Sequence, residues 1–150
     1  MATFNYGPPG LWHTPAYQAS GQPWITGSAI ADNKVQSVEF PRVTKSFTIV
    51  NVGASADTDL YVHFQSGSAV AAFTTPGASG EQTITAGDDV IANKHYVTVA
   101  GSSGSLTMNV KCKEVFVSAF NGATNYQVFA ELTSIEPRNM FHLTGSGITE

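Results

Sequence analysis

At 150 residues, with 42% hydrophobic and only 12% charged side chains and a formal net charge of −4, the chain can bury one core without staples and is too apolar to be a disordered polyelectrolyte. Its seven Lys and Arg are scattered, with Lys111 and Lys113 the sole close pair, so no basic footprint marks a nucleic-acid partner. No run approaches the roughly 20 apolar residues that a bilayer span needs, so no membrane partner is expected.

The first segment, residues 1–33, reads as an extended arm. Up to Ser28 it holds both tryptophans (Trp12 and Trp24), Tyr6, Tyr17, Phe4, Leu11 and four prolines (Pro8, Pro9, Pro15 and Pro23), and no Lys, Arg, Asp or Glu. Proline fixes φ and removes a backbone donor, so neither a long helix nor a central strand is expected here. Such a stretch cannot build a core of its own, yet burying one of its rings is worth about 2–3 kcal/mol. Phe4, Tyr6, Leu11, Trp12, Tyr17 and Trp24 are therefore the candidate interface residues, sheltered on the parent domain or on a neighbouring copy. The opening residues lack a basic start and an apolar run, which predicts synthesis in a cytoplasm rather than secretion.

Charge returns at Asp32–Lys34, and residues 34–144 carry the period-2 signal of a single β-domain. Val35, Val38 and Phe40 open a strand that stops at Pro41. Thr44–Val52 follows, with Phe47 and Ile49 on one face and Thr48 and Val50 on the other. Leu60, Val62 and Phe64 alternate with Tyr61 and an outward-facing His63. Thr83–Thr85 is a short candidate and His95–Ala100 a longer one. Leu106–Lys113 sets Leu106, Met108, Val110 and Cys112 on one face, Val115–Phe120 is apolar on both faces, and Tyr126–Ile135 alternates again. Met140–Thr144 is a short last strand, and residues 145–150 form a tail. The stretches 51–57, 77–80 and 87–89 join strands. Gly101-Ser102-Ser103-Gly104 reads as a four-residue hairpin loop, and Asn121-Gly122 opens another turn. Short strands with turns every 8–12 residues predict an all-β, antiparallel β-sandwich, immunoglobulin-like or jelly-roll, behind the N-terminal arm.

The residue types that carry chemistry do not form a recognisable site. Cys112 stands alone on the apolar face of its strand and reads as a core thiol. His13, His63, His95 and His142 have no ligand spacing, so neither a metal nor a cofactor is expected. Asp57 and Asp59, and the Asp88-Asp89 pair, read as turn formers rather than calcium ligands. Ser102 and Ser146 lie between glycines, but no helix follows to make a nucleophile elbow. Glu39, Glu114 and Glu131 could meet across strands, but the sequence carries no pairing geometry for them. No enzymatic activity is expected. A receptor- or carbohydrate-binding module of a fibre is the alternative, with the arm's rings stacking on sugar.

Phe40-Pro41-Arg42-Val43-Thr44-Lys45-Ser46-Phe47-Thr48-Ile49-Val50-Asn51, followed by Leu60-Tyr61-Val62-His63-Phe64, resembles β-sandwich virion proteins of tailed bacteriophages. The closing Tyr126–Thr133 and Leu143–Thr149 segments are similar in style. The likeness covers about two thirds of the chain, in pattern and composition rather than in a diagnostic motif. The resemblance implies a non-enzymatic virion structural protein, a capsid decoration (cement) subunit on the outer capsid surface. Its implied partners are the major capsid protein and copies of itself, as a trimer or dimer, bridged by the extended arm.

Overall fold

Thr44–Asn51 and Thr124–Leu132 show most plainly why this chain becomes sheet. Along each, alternate side chains are buried (Phe47 and Ile49; Tyr126, Val128, Ala130 and Leu132), while the intervening ones face outward. The structure, a computed structural model, describes residues 9–18, 21–64, 82–83, 96–119, 122–141 and 143. Within them lie a single helical turn, α1 (Pro15–Gln18), and nine strands: β1 (Gln22–Ile30), β2 (Lys34–Glu39), β3 (Thr44–Asn51), β4 (Leu60–His63), β5 (Gln82–Thr83), β6 (Tyr96–Val99), β7 (Ser105–Met108), β8 (Glu114–Ala119) and β9 (Thr124–Leu132).

The front sheet has the order β1-β9-β3-β7 and the back sheet β5-β2-β8-β4-β6. Every pairing is antiparallel. The pairs β1·β9, β2·β8, β3·β7 and β4·β6 are nested, so the chain is one long ribbon folded on itself and rolled. The contacts β3·β9 and β4·β8 close the roll. That is the strand order of a jelly roll, which decides between the two sandwich types the sequence left open. One core lies between the sheets: Ile30, Phe47, Ile49, Tyr126, Val128, Ala130 and Leu132 from the front meet Val38, Leu60, Val62, Val99, Val115, Val117 and Ala119 from the back, with Phe40 and Cys112 at one end.

Four expectations change. The strand read over Leu106–Lys113 ends at Met108 as β7, and Val110 and Cys112 follow it outside any strand. Residues 22–30, read as part of the arm, are β1, paired with β9 over nine consecutive positions. Pro23 is tolerated because β1 is an edge strand, where a missing donor costs no ladder bond. The 101–104 turn is not a hairpin: β6 lies in the back sheet and β7 in the front, so the turn carries the chain between sheets. Ser102 and Ser103 both have positive φ there, and the Asp59 carboxylate accepts the Gly101 N–H at 3.2 Å. At the other end, Pro137–Asn139 is a 3-10 turn, and Met140, Phe141 and Leu143 are not in a strand. The turn segments at 77–80 and 87–89 and the tail lie outside the described residues.

One buried amide ties this corner together. Asn51 accepts from Gly53 N–H (3.1 Å) and from Thr124 Oγ1 (2.7 Å). It donates to the carbonyls of Thr58 (2.9 Å) and Val99 (3.4 Å). Two donors and two acceptors saturate a carboxamide, and they link β3 to the loop before β4, the end of β6 and the start of β9. Asn51→Asp keeps the shape but aims a carboxylate oxygen at two carbonyls, so it is expected to cost about 3 kcal/mol or more. The urea midpoint with an unchanged m-value measures this; a loss below about 1 kcal/mol contradicts the role assigned to Asn51.

Candidate interaction surface

The outer faces of the two sheets differ. On the back sheet Val35 and Ser118 are cross-strand partners, as are His63 and Phe116, and all four are buried although they point away from the central core. This explains why β8 is apolar on both faces. His63 does alternate away from the core, but it is not a surface histidine. Its Nε2 is hydrogen-bonded to Ser118 Oγ and its ring stacks on Phe116 at 5.9 Å.

The front sheet is bare. Register places Ile25, Phe129, Thr48 and Thr107 side by side across its outer face. Ile25 is 73% exposed and Phe129 42%, and the Thr48 and Thr107 hydroxyls hydrogen-bond at 2.8 Å. The next row holds Gly27, Gln127, Val50 and Ser105, and beyond it lie Ala29, Asn125 and Val52. None of these side chains ionises. Charge enters only at one end, where Lys45 and Glu131 lie 3.8 Å apart and Ser46 donates to the same carboxylate. A neutral sheet face with two adjacent apolar side chains in water is a candidate contact surface. The signal for Ile25 and Phe129 is in the sequence: each is apolar on the outward phase of an alternating strand.

The arm residues divide. Leu11, Ala16 and Tyr17 pack against a second small core of Val43, Ile135 and Met140. The Lys111 ammonium sits 3.8 Å from the centroid of the Tyr17 ring and donates to the Leu11 carbonyl at 3.1 Å. Trp24, on β1, meets Phe40 edge-on at 5.4 Å between centroids. Leu11, Tyr17 and Trp24 therefore shelter on their own domain. Trp12 does not, and its side chain is 92% exposed. Phe4 and Tyr6 lie outside the described residues. Of the described arm candidates, which the sequence placed on the parent domain or on a neighbouring copy, Trp12 is the one left in solvent.

The remaining candidates fall in separate places. Glu39 and Glu114 are cross-strand partners in the back sheet, while Glu131 belongs to the front sheet. Among the described residues no group of three or more His, Cys, Asp or Glu could hold a metal ion. His95, His142, Asp88, Asp89 and Ser146 lie outside those residues. Cys112 is buried in the core with Thr44 Oγ1 at 3.3 Å. Burial pushes its thiol up to about 11, with Glu114 adding to the rise and the Thr44 hydrogen bond opposing it. No protein-family model matches the chain, and no curated protein aligns with it. The surface is defined by its geometry.

Two measurements follow from these placements. Among the described residues the buried Tyr17 hydroxyl has no hydrogen-bond partner, and burial raises its pKa. Tyr17→Phe removes an unsatisfied group while keeping the ring under Lys111, so stability is expected to hold or rise by up to about 1 kcal/mol; a loss of that size in chemical denaturation contradicts the packing described. Cys112 should resist thiol reagents near neutral pH until the protein unfolds. Because folding raises its pKa from 9.0 to about 11, the associated stability is intact below 9 and is lost as pH climbs through 11. Cys112→Ala should therefore show a shallower loss of stability across that alkaline window than the native chain. Equal slopes would contradict the burial of the thiol.

Proposed function

We propose that the chain is a non-enzymatic structural subunit of a virion, a capsid decoration protein that bridges and stabilises capsid subunits. The observation that carries this reading is the neutral outer face of the front sheet, continuous with an exposed edge strand and accompanied by the solvent-facing Trp12. A subunit held in a lattice needs neutral area it can bury: apolar side chains gain by leaving water, and hydroxyls leave it far more cheaply than charges when they keep a hydrogen bond, as Thr48 and Thr107 do with each other. Trp is the residue most enriched among interface anchors. The back sheet, whose outward-pointing Val35, Phe116 and Ser118 are already buried, leaves the front sheet as the face for a neighbour. Jelly rolls recur in viral capsid proteins as well as in lectins and cupins, so the fold is compatible with the reading without deciding it.

The arm bridges in a modified form: residues 11–17 are fastened to the parent domain by Lys111 and the small core at Val43, and they present Trp12 outward. An antibody raised against the purified chain, applied to particles released by cells that carry its gene, tests the reading. Regular labelling over the particle surface is the expected result, and particles without label overturn it. On labelled particles, Trp12→Ala should weaken binding by at least 10-fold, the size of a modest hot spot of about 1.4 kcal/mol.

A further inference from the structure

We propose that two copies of this chain pair through β1, antiparallel and with the two-fold axis at Thr26, joining their front sheets into one continuous sheet. The inference rests on the backbone of β1 and is independent of the virion reading.

Hydrogen-bond direction on β1 follows from its neighbours. Val52 N–H donates to the Asn125 carbonyl at 2.9 Å, so odd-numbered residues of β9 turn their backbone groups toward β3 and even-numbered ones toward β1. Ala29 lies opposite Asn125, and the β1·β9 register runs without a break from Gln22 to Ile30. Pro23, Ile25, Gly27 and Ala29 therefore point their backbone groups away from β9, to the free edge. Two further facts agree. The Ala29 carbonyl is reached from the other side by Gln36 Nε2 at 2.8 Å, and the one residue without an N–H, Pro23, stands at a position that offers nothing to β9.

Among the described residues nothing pairs with this edge, and it carries three donors, the N–H groups of Ile25, Gly27 and Ala29. It also carries three open acceptors, the carbonyls of Pro23, Ile25 and Gly27. Pro23 has no donor, and the Ala29 carbonyl is already engaged by Gln36 Nε2 and by Ser28 Oγ. With Thr26 on the axis, Ile25 faces Gly27 of the second copy, and Pro23 faces Ala29. Every open donor then meets an open acceptor, and the missing donor of Pro23 falls opposite the occupied carbonyl of Ala29. Neighbouring registers spoil the match. With Gly27 on the axis, the Ile25 N–H meets the occupied Ala29 carbonyl. With Ile25 on the axis, the Gly27 carbonyl meets the proline nitrogen.

The side chains suit the same register. Ile25 comes to lie beside Gly27 of the second copy, where there is no side chain to displace it. Gly27 is itself required within the monomer, since a Cβ there would sit 2.9 Å from the Tyr126 carbonyl oxygen. The row Phe129–Ile25 then continues across the axis. Edge strands that must stay single carry Lys, Pro, bulges or inward charges; β1 has nine residues, no charge and no bulge against β9, and its one proline, Pro23, stands at the second position, outside the Ile25–Gly27 pairs that flank the axis. A two-fold axis brings identical residues together, so the lack of charge removes the usual penalty for such pairing.

The test uses the purified full chain with no other component, so its failure is separate from any failure to find the chain on particles. Light scattering after size exclusion should show a reversible dimer at concentrations on the order of 10–100 μM. Ile25→Lys, at an exposed side chain, should weaken it at least 10-fold while circular dichroism stays unchanged. Thr26→Cys should oxidise to a disulfide-linked dimer, because the axial residues form a non-hydrogen-bonded pair with Cα atoms about 4.5 Å apart. Ser28→Cys, which falls opposite Trp24, should not. The native thiol is buried and does not interfere. A strict monomer overturns the proposal, as does a dimer indifferent to Ile25→Lys or equal cross-linking at 26 and 28.

Discussion

Burial of alternate side chains between the two sheets is the constraint from which the other features follow. Once Phe47, Ile49, Tyr126, Val128, Ala130 and Leu132 point inward, register compels Thr48, Val50, Gln127 and Phe129 to point outward. On the back sheet the outward Val35, His63, Phe116 and Ser118 are buried as well, whereas Ile25, Thr107, Gln127 and Phe129 on the front sheet are exposed. The composition explains the character of that bare face. With charged residues at 12% of the chain, the solvent side of a four-stranded sheet is built from Thr, Ser, Gln, Val and Phe, and its one ion pair sits at the end. Single exposed apolar residues are ordinary on soluble proteins. Here Ile25 and Phe129 are cross-strand neighbours beside an open strand edge, which makes a surface rather than a scatter.

The corners of the roll are held by polar groups. Asn51 spends its full hydrogen-bonding capacity at one corner. At the β3 start, Thr44 Oγ1 reaches the Val110 carbonyl at 2.8 Å and accepts the Cys112 N–H at 3.1 Å, next to a register shift between Thr44 and Ser46. Tyr126 on the front sheet donates to Gln36 on the back sheet at 2.9 Å, and Gln36 in turn reaches the Ala29 carbonyl. Buried polar groups with complete partner sets specify one arrangement, because any slip leaves them unsatisfied. The same Gln36 contact closes one acceptor on the β1 edge, so the core network and the character of that edge are physically connected.

Much of the fold was legible in the sequence because period-2 alternation is a local signal. The strands around Phe47, Val117 and Val128, the buried Cys112 and the edge-only tolerance of Pro23 all follow from side-chain phase and proline chemistry. What the sequence obscured depends on partners distant in the chain. β1 looked like an arm because Trp24-Ile25-Thr26-Gly27-Ser28-Ala29 alternates weakly, with apolar and small residues on both phases, and only the ladder with β9 reveals it. The glycines at 101 and 104 mark a tight turn in either case, and no local rule says whether the next strand returns to the same sheet. His63 alternates as expected, yet whether an outward position is wet is set by what lies above it. On the surface itself, Trp12 was singled out by composition, whereas Ile25 and Phe129 became neighbours only through register.

The claim on which this account turns is that β1 is a fixed strand of the sandwich whose far edge is open. Residue-resolved amide exchange by NMR on dilute protein tests it most directly. The account predicts alternation along one strand: Trp24, Thr26 and Ser28 protected by β9, and Ile25, Gly27 and Ala29 exchanging rapidly. Uniformly fast exchange through 24–29 would mean that β1 is an undocked arm, and uniform protection would mean that its edge is already filled; either pattern contradicts the account.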